Sequence, residues 1–221
     1  MIRPVGRPNG LVQITGILLW GKRSVENGRF STWIDSGGVL GAPRFRDVEV
    51  TVYYKRGMGE EPDGGLSVGT RSGRSVSHAP RDSTDSCNAT TYYGRMLHDG
   101  DMEFFKELKH PDGESRERYA IWNGNPLPHG KWIGMKFVVY NIDGDQHVKL
   151  ELYRDLSEGV NGGDWEKIGE TIDKGGWVAA HDCEYPSDFI LVEGGVVFLR
   201  NEVEVSDPRY KLFRIREIIS E

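Results

Sequence analysis

TTYYGRMLHDGDMEFFKELKH, residues 90–110, decides how this chain folds. Two runs rich in aromatic and apolar residues flank Asp99-Gly100, the dipeptide suited to a two-residue type I′ hairpin turn. Such a turn pairs His98 with Asp101, Leu97 with Met102, Arg95 with Phe104 and Tyr93 with Lys106. Side chains alternate across a strand, so Thr91, Tyr93, Arg95, Phe104, Lys106 and His110 then share one face. A face that mixes cations, a phenol, an imidazole and a ring is not a core. It reads as a surface for a polar, anionic ligand.

The same alternation recurs outward from this hairpin. In DVEVTVYYKR, residues 47–56, Val48, Val50, Val52 and Tyr54 point one way and Glu49, Thr51, Tyr53 and Lys55 the other. KWIGMKFVVYN (131–141) and VKLELYRDL (148–156) form a second hairpin around IDGDQH, and GDWEKIGETIDKGGW adds a strand and a turn. Residues 188–200 and 209–219 read as closing strands. KLFRIREII also scores as a helix, but Leu212, Arg214 and Arg216 alternate with Phe213 and Ile215 as a strand requires. Residues 73–88 and 111–130 read as long connections. Residues 1–45, with apolar runs LVQITGILLW and FSTWID, lead into the same domain, whose body is residues 46–221. Short strands at this spacing, without a three-turn helix or a repeat, give an all-β class: a sandwich or jelly roll of two antiparallel sheets.

The 221 residues suit one large sandwich, and 29 glycines and 10 prolines supply its turns. No apolar run approaches the length of a membrane span. A formal charge of −6 argues against general nucleic-acid binding, which needs a basic footprint, although Arg71, Arg74 and Arg81 cluster locally. The opening MIRPVGRPNGLVQITG lacks the pattern of a signal peptide. Cys87 and Cys183 each sit in a polar, loop-like setting. Taken alone they are either a disulfide, worth roughly 4–5 kcal/mol by chain entropy, or two free thiols. Neither has the close partner a zinc site needs. Asn88-Ala89-Thr90 is a glycosylation sequon, a triplet common by chance.

DVEVTVYYKR, GTRSG, the polar loop into Cys87 and YYGRMLHDG, FFKELKHP, GKWIGMKFVVYN and DWEKIGETIDKGGW together resemble a group of uncharacterised, largely archaeal proteins. That group is classed with the concanavalin A-like lectin and glucanase sandwiches. The resemblance covers roughly residues 45–220. It implies a jelly roll with a concave sheet, and it implies that Cys87 and Cys183 are paired, which places the protein outside the cell or at its surface. Such sheets host sugar-binding modules, glucanases and polysaccharide lyases, so the resemblance does not by itself fix function.

Three chemistries compete. A retaining glucanase needs two carboxylates about 5 Å apart on one face. The Glu-x-Asp-x-x-Glu segment that jelly-roll glucanases use is absent, and Glu49 and Glu103 have no companion along their strands. A lyase must neutralise a uronate, abstract the neighbouring proton and protonate the leaving oxygen, for which His78, Tyr93 and His110 are the candidate acid and base. The Gln-Ile-His strand and Arg-Ser-Glu-x-Arg run of alginate lyases are missing. A binding module needs only aromatic platforms and planar polar groups. Arg71, Arg95, Lys106, Tyr119 and Trp122 are its candidate contacts, while Trp132, Trp165 and Trp177 read as core or rim, and His98, His129 and His147 as surface residues. NIDGDQ, with Asp143 and Asp145, has the oxygen-rich look of a calcium loop but equally that of a plain turn. Calcium is therefore the one cofactor the sequence suggests. Polysaccharide binding is the simplest reading, with the partner an anionic polymer. A uronate lyase comes second, and a subunit of a surface assembly third.

Overall fold

The computed structural model describes residues 3–4, 29–31, 45–57, 64–73, 87, 90–109, 112–177, 181–183, 185–186, 188–201 and 209–219. Their strands are β1 (Arg3–Pro4), β2 (Arg29–Ser31), β3 (Val48–Lys55), β4 (Gly65–Ser72), β5 (Thr91–Leu97), β6 (Asp101–Glu107), β7 (Gly113–Ala120), β8 (Trp132–Ile142), β9 (His147–Asp155), β10 (Trp165–Asp173), β11 (Val196–Asn201) and β12 (Arg209–Ile219). They form two antiparallel sheets, β1-β12-β3-β8-β9-β10 and β2-β11-β4-β5-β6-β7. The fold is the expected jelly-roll sandwich. Cys87 and Cys183 are bonded.

The core follows from alternation. Val48, Val50, Val52 and Tyr54 of β3, with Met135, Phe137 and Val139 of β8 and Leu150 and Leu152 of β9, line the inner face of the first sheet. Leu66, Val68, Tyr92, Met96, Met102 and Phe104 meet them from the second. At Gly94 the sheets come close: an added Cβ would lie 2.7 Å from the Phe137 ring.

The β5–β6 register differs from the expected one by a single residue. Met96 pairs with Met102, Arg95 with Glu103, Tyr93 with Phe105 and Tyr92 with Lys106. The loop therefore holds three residues, His98, Asp99 and Gly100, closed by a Gly100 N–H to Leu97 carbonyl bond of 3.0 Å. A type I′ turn needs positive φ at both central residues. Only Gly100 (φ 94°) has it, and a Cβ there would lie 1.9 Å from the Asn125 oxygen. His98 fixes the choice. It is buried rather than at the surface, bonded to the Tyr54 hydroxyl at 2.7 Å, with its backbone tied to Gly64, Leu127 and Arg56. It is consumed by these contacts and cannot join the ladder.

A second difference is β7, which falls inside the expected connection 111–130. ESRERYA carries charges on both faces, as an exposed edge strand does to discourage further pairing.

Candidate functional site

A one-residue slip transfers every side chain of one strand to the opposite face. Tyr93 and Arg95 remain on the outer face of the second sheet, now beside Glu103, Phe105 and Glu107. Arg95 is only 8 % exposed. Its guanidinium pairs with Glu103 at 2.7 Å and lies over Phe105, 3.9 Å from the ring centroid. Ser115 donates to the other Glu103 oxygen at 2.8 Å. Tyr93 is fully buried and donates to Glu107 at 2.9 Å.

Lys106 turns inward. It is fully buried, 2.6 Å from the Asp173 carboxylate, and also donates to the Phe189 carbonyl. Burial pulls its pKa down, and Asp173 offsets part of that fall. Tyr92 donates to the same Asp173 oxygen at 2.6 Å, and burial holds its phenol well above its ordinary range. Arg71 is also buried between the sheets. It donates to Asn141 Oδ1 and the Leu191 carbonyl, each at 2.6 Å, and to Asp47 at 3.2 Å. Burial brings its pKa down to about 10. These two cations fasten the sandwich to residues 189–191 rather than face a ligand. The expected grouping of Tyr93, Arg95 and Lys106 under one trough is corrected: the register sends Lys106 to the core.

His78 and His110 lie outside the described residues. Asp143 bonds His147 at 2.7 Å, while Asp145 bonds Arg46 at 3.1 Å and Asn141 at 3.0 Å. Both aspartates occupy positive-φ positions of the β8–β9 turn. Among the described residues no group of three His, Cys, Asp or Glu side chains is placed to hold a metal. Tyr119 and Trp122 lie along the open edge of the sandwich. Tyr119 is 41 % exposed and its hydroxyl crosses to the Ile168 carbonyl of β10 at 2.6 Å. Trp122 is half-buried, with the Arg154 guanidinium 4.6 Å from its ring centroid.

The same edge carries a cleft of about 320 Å³ lined by Arg154, Leu156, Ser157, Asp164, Trp165 and Glu166. The β9–β10 register builds it by placing Arg154 opposite Glu166 and Asp155 opposite Trp165. Arg154 pairs with Glu166 at 2.7 Å and donates to the Ile121 carbonyl. Asp155 shapes the floor. Its carboxylate accepts from Tyr53 Oη (2.7 Å), Ser157 N (2.9 Å) and Oγ (2.7 Å), Gly159 N (3.0 Å) and Asp164 N (2.8 Å). Burial by itself would raise the Asp155 carboxyl. The Ser157 and Tyr53 hydroxyls and the backbone N–H groups outweigh it and hold the group at about 2.

On the outer face of the first sheet Trp132, Tyr153 and Trp165 lie half-buried among lysines. Lys136 Nζ is 4.4 Å from the Trp165 ring centroid and 5.4 Å from that of Tyr153. Lys211 and Lys55 lie 4.7 and 5.0 Å from that of Trp132. Trp132 and Trp165, core or rim residues by sequence, are half-buried, and Arg154, Asp164 and Glu166 are not among the residues that the sequence singles out. The signal was present: in WIGMKFVVY, Trp132, Lys136 and Tyr140 share the face opposite Ile133, Met135, Phe137 and Val139. It is the periodicity that the first hairpin displays.

No protein-family model matches the chain, and no curated protein matches it by sequence. Solved structures are similar to it over most of its length. A carbohydrate-binding module of family 66 from Bacillus subtilis is similar over 86 % of this chain and 96 % of its own, at 12 % identity and a TM-score of 0.48. The alginate lyase vAL-1 from a Chlorella virus covers 80 % of this chain and 73 % of its own, at 10 % identity and TM-score 0.45. Sheep galectin-11 covers 83 % and 96 %, at 9 % identity and TM-score 0.41.

Proposed function

We propose that this protein binds a polysaccharide without cleaving it, and that the Trp165 cleft is where a sugar ring sits. The observation that carries this reading is the composition of that cleft. Trp165 lines it, and an indole takes the apolar face of a sugar. Around it stand a guanidinium, two carboxylates and a hydroxyl, which hydrogen-bond to sugar hydroxyls. Arg154 and the lysines beside Trp165 and Trp132 fit an anionic sugar. Tyr119 and Trp122 border the same edge. Arg95 and Tyr93, paired with Glu103 and Glu107, support the sheet. The disulfide favours an oxidising compartment, in keeping with a role outside the cell. Among the described residues no helix is long and apolar enough to cross a membrane.

Affinity electrophoresis and calorimetry against acidic and neutral polysaccharides test the reading. Trp165→Ala removes the central platform and is expected to weaken binding by roughly 2 kcal/mol, the size of an interface anchor. Arg154→Ala is expected to weaken it as well. A protein that binds no glycan, or whose affinity is unchanged in both variants, would overturn the proposal.

A further inference from the structure

We infer that the ligand is an extended polyanion that leaves the cleft and crosses the outer face of the first sheet, with Trp132 as a second platform. The inference rests on the glycan-binding reading and adds the charge, length and path of the ligand. Trp165 lies opposite Asp155, and Asp155 opposite Gly134, two residues along β8 from Trp132. Strand spacing and rise then put the Cα atoms of the two tryptophans roughly 12 Å apart, and the Trp165 ring reaches over Asp155 to Gly134, where an added Cβ would lie 3.0 Å from it. A strip of that length is longer than one sugar ring and fits a short linked chain.

Charge sets the class of ligand. On this face Glu49 is consumed by Arg216 at 2.6 Å, and Glu151 by Lys149 and Lys167 at 3.4 and 2.7 Å. Asp155 is committed to the loop below Trp165. Lys55, Lys136, Lys211 and Arg214 make no ion pair with a described carboxylate. Three of them rest on ring faces instead: Lys55 and Lys211 against Trp132, Lys136 against Trp165 and Tyr153. Lys211 also donates to the Glu158 carbonyl at 3.0 Å. A lysine held over a half-buried ring by a cation–π contact alone is held more weakly than by a carboxylate and can move aside. An acidic group at the ring edge would draw the ammonium aside and leave the indole to the sugar. Four such cations on a protein with a net charge of −6 form a local basic track beside aromatic steps. That pattern is complementary to a chain of uronate or sulfated sugars.

The test uses alginate-derived and heparin-derived di-, tetra- and hexasaccharides, neutral cello-oligosaccharides of matched length and a single-stranded oligodeoxythymidylate, each titrated into the whole protein. Acidic hexasaccharide is expected to bind about tenfold tighter than acidic disaccharide. Trp132→Ala is expected to remove most of that gain, and Trp132→Phe to keep it. The double substitution Lys136→Gln with Lys211→Gln is expected to flatten the salt dependence of hexasaccharide binding. Thermal unfolding of each variant identifies loss of fold. Equal affinity for neutral and acidic chains, no gain with length, or an intact gain in folded Trp132→Ala would overturn the inference and leave glycan binding at the cleft standing. Tighter binding of the oligonucleotide would overturn the assignment of the track to a glycan. Failure to bind any sugar would remove both readings.

Discussion

Asp155 shows how one side chain sets the shape of a loop. Held at about 2 by five hydrogen bonds, against an ordinary value of 3.8, it favours the folded state only while ionised. Its contribution is complete above about pH 4 and disappears as the pH falls through 2. A shift of this size corresponds to about 2 kcal/mol. Denaturant midpoints measured between pH 6 and 2 should fall across that window, and Asp155→Asn should flatten the curve by that amount. Lys106 and Asp173 make the complementary case. Lys106→Met strands a buried carboxylate and should cost about 3–5 kcal/mol. Adding Asp173→Asn should recover a large part of it, since the unpaired charge is then gone. A single-variant loss below about 1 kcal/mol would show that the pair is uncoupled.

Strand periodicity decides most of the element-scale structure, and one loop decides the rest. Gly94 lies where β5 meets β8 and β9, its missing Cβ occupied by Phe137 and Leu152. Gly94→Ala forces the sheets to give and should lower stability by about 1–3 kcal/mol in a denaturant titration. Alternation in β3, β8 and β9 was legible because one face is aliphatic and aromatic, and β12 was legible as a strand rather than a helix because Phe213 and Ile215 alternate with Leu212, Arg214 and Arg216. The β5–β6 register was not legible. Asp-Gly fits either a two- or a three-residue loop, and His98 resolves the matter only through Tyr54, Arg56 and Leu127, which are distant in sequence. Lys106 therefore looked like a surface cation when its partner Asp173 lies 67 residues away. β7 was missed because an edge strand with charges on both faces lacks the half-apolar signature of the others. Trp165 stood in a recognised strand, but the cleft beside it depends on a loop whose shape comes from the hydrogen bonds of Asp155.

At the scale of the whole molecule, the disulfide spans a sequence separation of 96 residues and anchors residues 181–183 to Cys87. Tyr185 strengthens the anchor by donating to the Cys87 carbonyl at 2.5 Å, and Phe189 and Leu191 then enter the interior to meet Lys106, Arg71 and Tyr92. Reduction under native conditions should lower the unfolding free energy by roughly 4–5 kcal/mol by the chain-entropy model, read as a fall in Tm with and without reductant. An unchanged Tm would mean that the interior contacts alone hold this segment.

The strand order has a consequence for how the chain is made. β11 and β12, which follow the other ten strands in the sequence, are inserted between strands that precede them: β11 between β2 and β4, β12 between β1 and β3. During vectorial synthesis the ladder edges of β3 and β4 stand bare until β11 and β12 have emerged. Neither half-sheet can close before then, so the nascent sandwich carries two sticky borders and relies on long-range docking to seal them.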